Sequence, residues 1–369
     1  MSEPMISHRS DTFADTFSRA QDGLEYVFTH ATLEGENTAS GGETLLLNAT
    51  ATMGMEAAVA NLISPGDQVV AVVNGKFGRR FARIAERYTD SVTRVEFSWG
   101  QSIDIDAVDT ALHDGVDLLT AVHTETSAGL RNPLGEIGEL ADEYDIPYVI
   151  DGVSAIGGDE FNVDDWHVDI AITDAQKALG IPPGIAGMFV SETITDQFDG
   201  EVAPFYEDLD WHLEKAAIHQ TPFTTAIPQV RALATAVEMI EDEGMAIRIE
   251  RHHRQSAAYR AAFQAMGLEL FPEPKGASEY AKTMTAVELP PAAAEDDFET
   301  FTEALADRQV SVAGGHAHLS GKIFRVSNMA WFDDDTILEG IERIGDALLE
   351  VGADIDQEAG LDAARSNLA

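Results

Sequence analysis

The chain has 369 residues, with 65 acidic side chains against 23 basic ones and a formal net charge of −42. That balance excludes the basic footprint that nucleic acid or an anionic membrane requires. The absence of cysteine excludes disulfides, thiolate metal sites and cysteine nucleophiles.

Hydrophobic content of 44% is ample for buried cores, and the length favours two domains. The acids are spread along the chain (DEYD, DDWHVD, EDEG) and read as a solvated surface. Lysine is scarce, so the composition fits a halophilic protein whose self-repulsion is screened by concentrated salt. No run of 18 apolar residues occurs, and no charged-then-apolar leader opens the chain. The expectation is a soluble cytoplasmic protein.

From about residue 45 to 190, short apolar runs alternate with amphipathic stretches. The runs are GETLLLNA, QVVAVVN, SVTRVEF, DLLTAVH, IPYVIDG, VDIAIT and IAGMFVS. Between them lie the helical patterns MGMEAAVANLI, FGRRFARIAERY, DAVDTALHDG and LGEIGELADEY. Val/Ile/Leu-rich strands alternating with helices predict an α/β fold with a mostly parallel sheet. Ligands of such sheets bind at the carboxyl ends of the strands.

The candidate residues fall at those ends. Thr50, Ala51 and Thr52 follow the first strand and open a helix, where free N–H groups and hydroxyls suit a phosphate; a plain N-cap reads the same way. Phe77 follows the second strand and is either a ring-stacking aromatic or a core residue. Thr126 follows the fourth, in a cluster also typical of ordinary loops. Asp151 ends the strand IPYVI, whose apolar run predicts a buried carboxylate in need of a partner. Lys177, one of six lysines, sits in DAQKALGIPPGIAG, 26 residues on. An amine and a buried carboxylate so placed are what pyridoxal 5′-phosphate needs: a Schiff-base lysine and an acid facing the pyridine nitrogen.

After residue 226 the pattern turns helical (IPQVRALATAVEMIEDEG, AIRIERHHRQSAAYRAAFQAMG). It then mixes the strands MTAVEL, QVSVAG and KIFRVSN with helices near 297–306 and 335–351. PPAAAEDD reads as a loop. Arg325 interrupts an apolar strand and either grips a carboxylate or faces outward. His252–His253 and the His316-x-His318 pair lack the further ligands a metal would want and read as surface or loop histidines.

PMISHRSDTF, MGMEAAVANLISPGDQVVAVVNGKFG, HTETSAGLRNPLGEIGEL, VIDGVSAIGG, DAQKALGIPPGIA and KIFRVSNM together resemble the class V aminotransferases of fold type I. The likeness is to the alanine–glyoxylate and serine–pyruvate group and runs almost the full length. It implies a large cofactor domain (1–240) whose seven-stranded, mostly parallel sheet is sandwiched by helices, and a smaller α+β domain (241–369). It implies that Lys177 and Asp151 are catalytic and that Val153 packs under the ring opposite Phe77. Thr126 would meet the phenolic oxygen, and Thr50, Ala51, Thr52 and Gln176 the phosphate. Thr221 would reach the phosphate of the second subunit of a homodimer, and Arg325 the substrate carboxylate.

The implied reaction moves an amino group from alanine or serine to glyoxylate or pyruvate. Aspartate, aminoethylphosphonate or a lyase reaction are the alternatives. Aspartate would need a further cation for its side chain, and the sequence identifies none. Three departures stand out. No Gly-Pro-Gly-Pro segment precedes PMISHRS, so either the start is misassigned or the pocket is more open. TATMG replaces a glycine-rich phosphate loop. TDAQKAL replaces SGSQKAL, which sets Asp174 beside a phosphate unless it turns away.

Overall fold

The computed structural model describes residues 4–113, 115–198, 203–294 and 297–369. In chain order the first half runs α1 (Asp11–Thr29), β1 (Glu43–Leu47), α2 (Ala51–Leu62), β2 (Val69–Val73), α3 (Lys76–Ala85), β3 (Val92–Glu96), α4 (Ile105–Leu112), β4 (Leu118–Val122), β5 (Thr124–Glu125), β6 (Leu130–Arg131), α5 (Leu134–Glu143), β7 (Tyr148–Asp151), β8 (Ile170–Asp174) and β9 (Ala186–Val190). The second half runs α6 (Leu209–Ala216), α7 (Ile227–Glu243), α8 (Met245–Ala265), β10 (Glu279–Tyr280), β11 (Met284–Glu288), α9 (Phe298–Asp307), β12 (Ala313–Gly314), β13 (Ile323–Ser327), α10 (Asp334–Glu350) and α11 (Gln357–Leu368).

Seven strands form the main sheet in the order β1-β9-β8-β7-β4-β2-β3. Only β9 runs against its neighbours; the pairs among β3, β2, β4, β7 and β8 are parallel. The seven apolar runs of the sequence are these seven strands. Side chains of successive residues leave opposite faces of a strand. Accordingly Leu46, Val70, Leu119 and Ile150 join the core under α1, α4, α5 and α7. Leu45, Val69, Leu118 and Val149 join the core under α2, α3 and α6. Both faces being covered, β2, β4 and β8 are buried at every residue, whereas edge strand β3 alternates.

Helix α1 was not among the predicted elements. Ser10 caps it by accepting from the Phe13 amide at 3.3 Å, and Phe13, Phe17, Leu24 and Val27 bury one face against α7. Gly244, at φ 81°, ends α7 and lets α8 start at once. The long helix α8 leaves the first core at Ile249 and enters a third at Ala258, where it packs with β11, β13, α9, α10 and α11. The antiparallel sheets β10-β6-β5 and β11-β13-β12 belong to this second half and its junction with the first. No helix among the described residues is long and apolar enough to cross a membrane.

Candidate active site

The strand register brings the candidate residues to one edge. Val122, Asp151 and Ile172 are in line across β4, β7 and β8. Leu47 and Asp174 both face Ala186 of β9. The turns after β1, β2, β4, β7 and β8 therefore open on the same side of the sheet.

Lys177 follows β8 in a tight turn, its amide 3.3 Å from the Asp174 carbonyl and its own carbonyl accepting from Gly180 N at 3.0 Å. Ala175, Ala178 and Leu179 anchor the turn in the core. The amine makes no hydrogen bond or ion pair among the described residues. Burial lowers its pKa, against the opposing pull of Asp151; the charges of Arg325 and Arg80 lower it further, while Asp174 raises it. A desolvated amine of this kind spends more time neutral and nucleophilic.

Asp151 is 4% exposed. One carboxylate oxygen accepts from Val153 N at 3.0 Å, and the other has no hydrogen-bond donor among the described residues. Burial pushes its pKa up to about 6, with Glu125 adding to the rise and Arg80 and Lys177 opposing it. A buried carboxylate oxygen without a donor fits a protonated nitrogen as its partner. Val153 lies half-buried beside it. Thr126 shares a short hydroxyl contact with Ser154, which ties the β4 and β7 turns together.

The phosphate end differs from expectation. Thr50 is the N-cap of α2 but its side chain makes no capping bond. Asp174 does not turn away: one of its oxygens accepts from the Ala51 amide at 2.9 Å. A carboxylate thus already occupies the first donor of the helix dipole. Thr52 is held by Arg80, whose Nη1 donates to its hydroxyl at 2.9 Å. Gln176 is exposed nearby in sequence. Thr221 is buried, and its hydroxyl donates to the Phe223 carbonyl at 2.7 Å in its own loop. The Thr52 amide, the hydroxyls, Gln176 and the Arg80 charge still fit a phosphate, once Asp174 yields the Ala51 amide.

Phe77 opens α3. Its amide and that of Gly78 donate to Glu125 at 2.9 and 3.2 Å, and its ring carries the Arg80 guanidinium 4.8 Å from its centroid. Glu125 is wholly buried, and burial raises its pKa against the bonds from Ser127, Gly78 and Phe77. A Cβ on Gly75 would stand 2.2 Å from Glu125 Cγ, so only glycine admits this carboxylate.

Arg325 points inward from β13. It donates to Thr126 O at 2.8 Å, to Gly314 O at 2.8 and 3.2 Å, and lies 3.2 Å from His316 Nε2. All four contacts are to uncharged acceptors, so the buried guanidinium keeps its charge for an incoming anion; burial lowers its pKa and Glu125 opposes.

Several participants escaped the sequence reading. His316 is no plain loop histidine, because it bridges Arg325 and Lys76. His252 is no surface residue: it lies wholly inside α8, bonded to Arg248 O at 2.7 Å, and His253 meets Asp159 at 2.8 Å. Arg248 is fully buried and donates to Ala178 O and Gly157 O, both at 2.7 Å, which pins the Lys177 turn to α8. Glu125 carried only a weak signal, an acid set among small residues after a strand.

The family described as aminotransferase class-V matches residues 36–332. An uncharacterized aminotransferase of Methanocaldococcus jannaschii is 35% identical over 378 residues, which cover 100% of this chain and 93% of that protein. An L-aspartate–glyoxylate aminotransferase of Paracoccus denitrificans is 29% identical, with 99% and 90% covered. The crystal structure of ureidoglycine–glyoxylate aminotransferase from Bacillus subtilis aligns at a TM-score of 0.87 and 28% identity, over 99% of this chain and 92% of that one.

Proposed function

The chain belongs to the class-V aminotransferases, and we propose that Lys177 holds its cofactor and Asp151 tunes it. The enzyme is pyridoxal-phosphate-dependent and transfers an amino group between an amino acid and a 2-oxo acid. Pyridoxal phosphate supplies the aldehyde carbon and the electron sink. One observation carries the assignment: a half-buried amine, unbonded among the described residues and with its pKa lowered, follows the strand next to the one that ends in a buried carboxylate, one of whose oxygens has no donor there.

Lys177 would hold the cofactor through Nζ, and its free amine would take and hand back the proton at the substrate's Cα. Asp151 would keep the ring nitrogen protonated. Phe77 and Val153 would cover the two ring faces, and Thr126, held by Ser154, would hydrogen-bond the phenolic oxygen. Thr50, Ala51, Thr52 and Gln176 would receive the phosphate, and Thr221 that of the partner in a homodimer. Arg325 would bind the α-carboxylate of both substrates in turn.

The same reading divides the chain into a cofactor domain, 1–240, and a small domain, 241–369, that delivers Arg325. Glyoxylate or pyruvate would be the acceptor and alanine or serine the donor, with aspartate, the donor of the Paracoccus protein, as the alternative; the glyoxylate acceptors of the Paracoccus and Bacillus proteins support a small oxo acid. The acid-rich, lysine-poor composition supports work in the salt-laden cytoplasm of a halophile.

Lys177→Ala is expected to remove both the visible absorption of the protein-bound cofactor and amino transfer, with folding intact by circular dichroism. A variant that kept both would refute the assignment.

A further inference from the structure

Basic residues are scarce in this chain, yet five of the 23 line one cavity. Lys76, Arg79, Arg80, Arg83 and Arg87 share one side of α3 and the turn after it, at the spacing of a single helix face. The cavity holds about 890 Å³, and Trp99 and His316 also line it. Arg79 pairs with Glu96 at 2.7 Å. Lys76, Arg80, Arg83 and Arg87 form no ion pair among the described residues, although the chain carries 65 acids. The one acid on the wall, Glu56, is 3.3 Å from the Tyr88 hydroxyl.

This wall is continuous with the active site. His316 Nδ1 stands 3.4 Å from Lys76 Nζ, and its Nε2 stands 3.2 Å from Arg325 Nη2. Burial and the charges of Arg325 and Lys76 lower the His316 pKa, which favours the neutral ring. A neutral imidazole has one acceptor nitrogen. It satisfies one of its two cationic neighbours and turns an N–H toward the other. The cluster therefore has more donors than acceptors, and an anion beside Lys76 and His316 would balance it.

We propose that the α3 wall is a subsite for a second anionic group on the substrate. The α-carboxylate lies at Arg325 and the distal anion reaches Lys76, His316 and the arginines behind them. The preferred amino donor then bears a side-chain carboxylate, or a phosphate in its place, and the acceptor stays a small 2-oxo acid. The cation that an acidic donor needs is present; it lies about 100 residues before the lysine turn, on a different helix. This inference rests on the transaminase reading above.

The test uses holoenzyme in high salt and follows bleaching of the cofactor's visible band by alanine, serine, aspartate, glutamate and phosphoserine. At least one doubly anionic donor is expected to exceed alanine by about tenfold or more in kcat/KM, the scale of one charge-assisted contact. Which donor wins separates a carboxylate from a phosphate. Lys76→Gln and Arg83→Gln should raise KM for that donor by about tenfold and leave alanine within about twofold. Succinate should compete at lower concentration than propionate in the parent enzyme and lose that advantage in Lys76→Gln. Alanine or serine outpacing every doubly anionic donor, or variants that slow all donors equally, would overturn the subsite while leaving the transaminase intact. Bleaching by no donor, with succinate no better than propionate, would bring down the substrate reading and the subsite together.

Discussion

Asp174 ends β8 with its carboxylate on the first amide of α2, where a phosphate would otherwise be received. Two anions cannot share one N–H without repulsion, so a cofactor phosphate received there, as proposed, would have to displace this side chain. Asp174→Asn keeps the shape and removes the charge. It should tighten binding of pyridoxal phosphate by about tenfold and leave phosphate-free pyridoxal unchanged, by equilibrium titration of protein fluorescence. Equal changes for both ligands would show that Asp174 does not face the phosphate. Asp151 gives a pH prediction. Its carboxyl rises from 3.8 to about 6 because burial penalises the charge. In the cofactor-free protein the folded state holds the proton more tightly, so this stabilisation is complete below the ordinary carboxylate range. It is lost as pH rises through about 6. Above that, the ionised group costs about 3 kcal/mol. Cofactor-free Asp151→Asn should therefore resist denaturant better than the parent at pH 8, by up to that amount, with the advantage closing toward pH 4. Cofactor should reverse the order, since it supplies the positive partner.

At the scale of elements, α8 holds the lysine turn through a single side chain. Arg248 bonds Ala178 O and Gly157 O, pairs with Glu243 at 2.7 Å, and lies 4.2 Å from the Trp331 ring centroid. Arg248→Met removes a buried charge from partners that stay buried, which costs about 3 kcal/mol or more. Thermal unfolding should show that loss, and cofactor should leave the variant faster than the parent; unchanged stability would mean the turn is held by its own bonds. The seven main strands were legible in sequence because burial on both faces demands unbroken Val/Ile/Leu runs. The two-residue strands β5, β6 and β10 were not, since a pairing such as Glu279 with Arg131 spans distant chain segments and leaves no local pattern. Helix α1 carried a legible stripe, Phe13, Phe17, Leu24 and Phe28, that went unread. Lys177 and Asp151 stood out because one lies in the turn after a strand and the other ends a strand, each a chemical type out of keeping with its surroundings. Lys76 beside His316 was not, because only the fold brings residues 240 positions apart into contact.

Across the whole molecule, a charge of −42 means surface self-repulsion that dissolved salt screens. At molar salt the Debye length falls to about 3 Å and surface repulsion fades. The unfolding midpoint should rise steadily from low salt to molar potassium chloride; a flat response would oppose the halophilic reading. Sedimentation in the same salt should give twice the 39.8 kDa chain mass if the proposed homodimer holds. These properties frame a site whose chemistry depends on one amine. The most direct measurement is borohydride reduction of the yellow enzyme, followed by peptide mass spectrometry. The account predicts a pyridoxyl-phosphate adduct on Lys177. An adduct on Lys76 or another of the six lysines, or none in a protein that stays coloured, would contradict it.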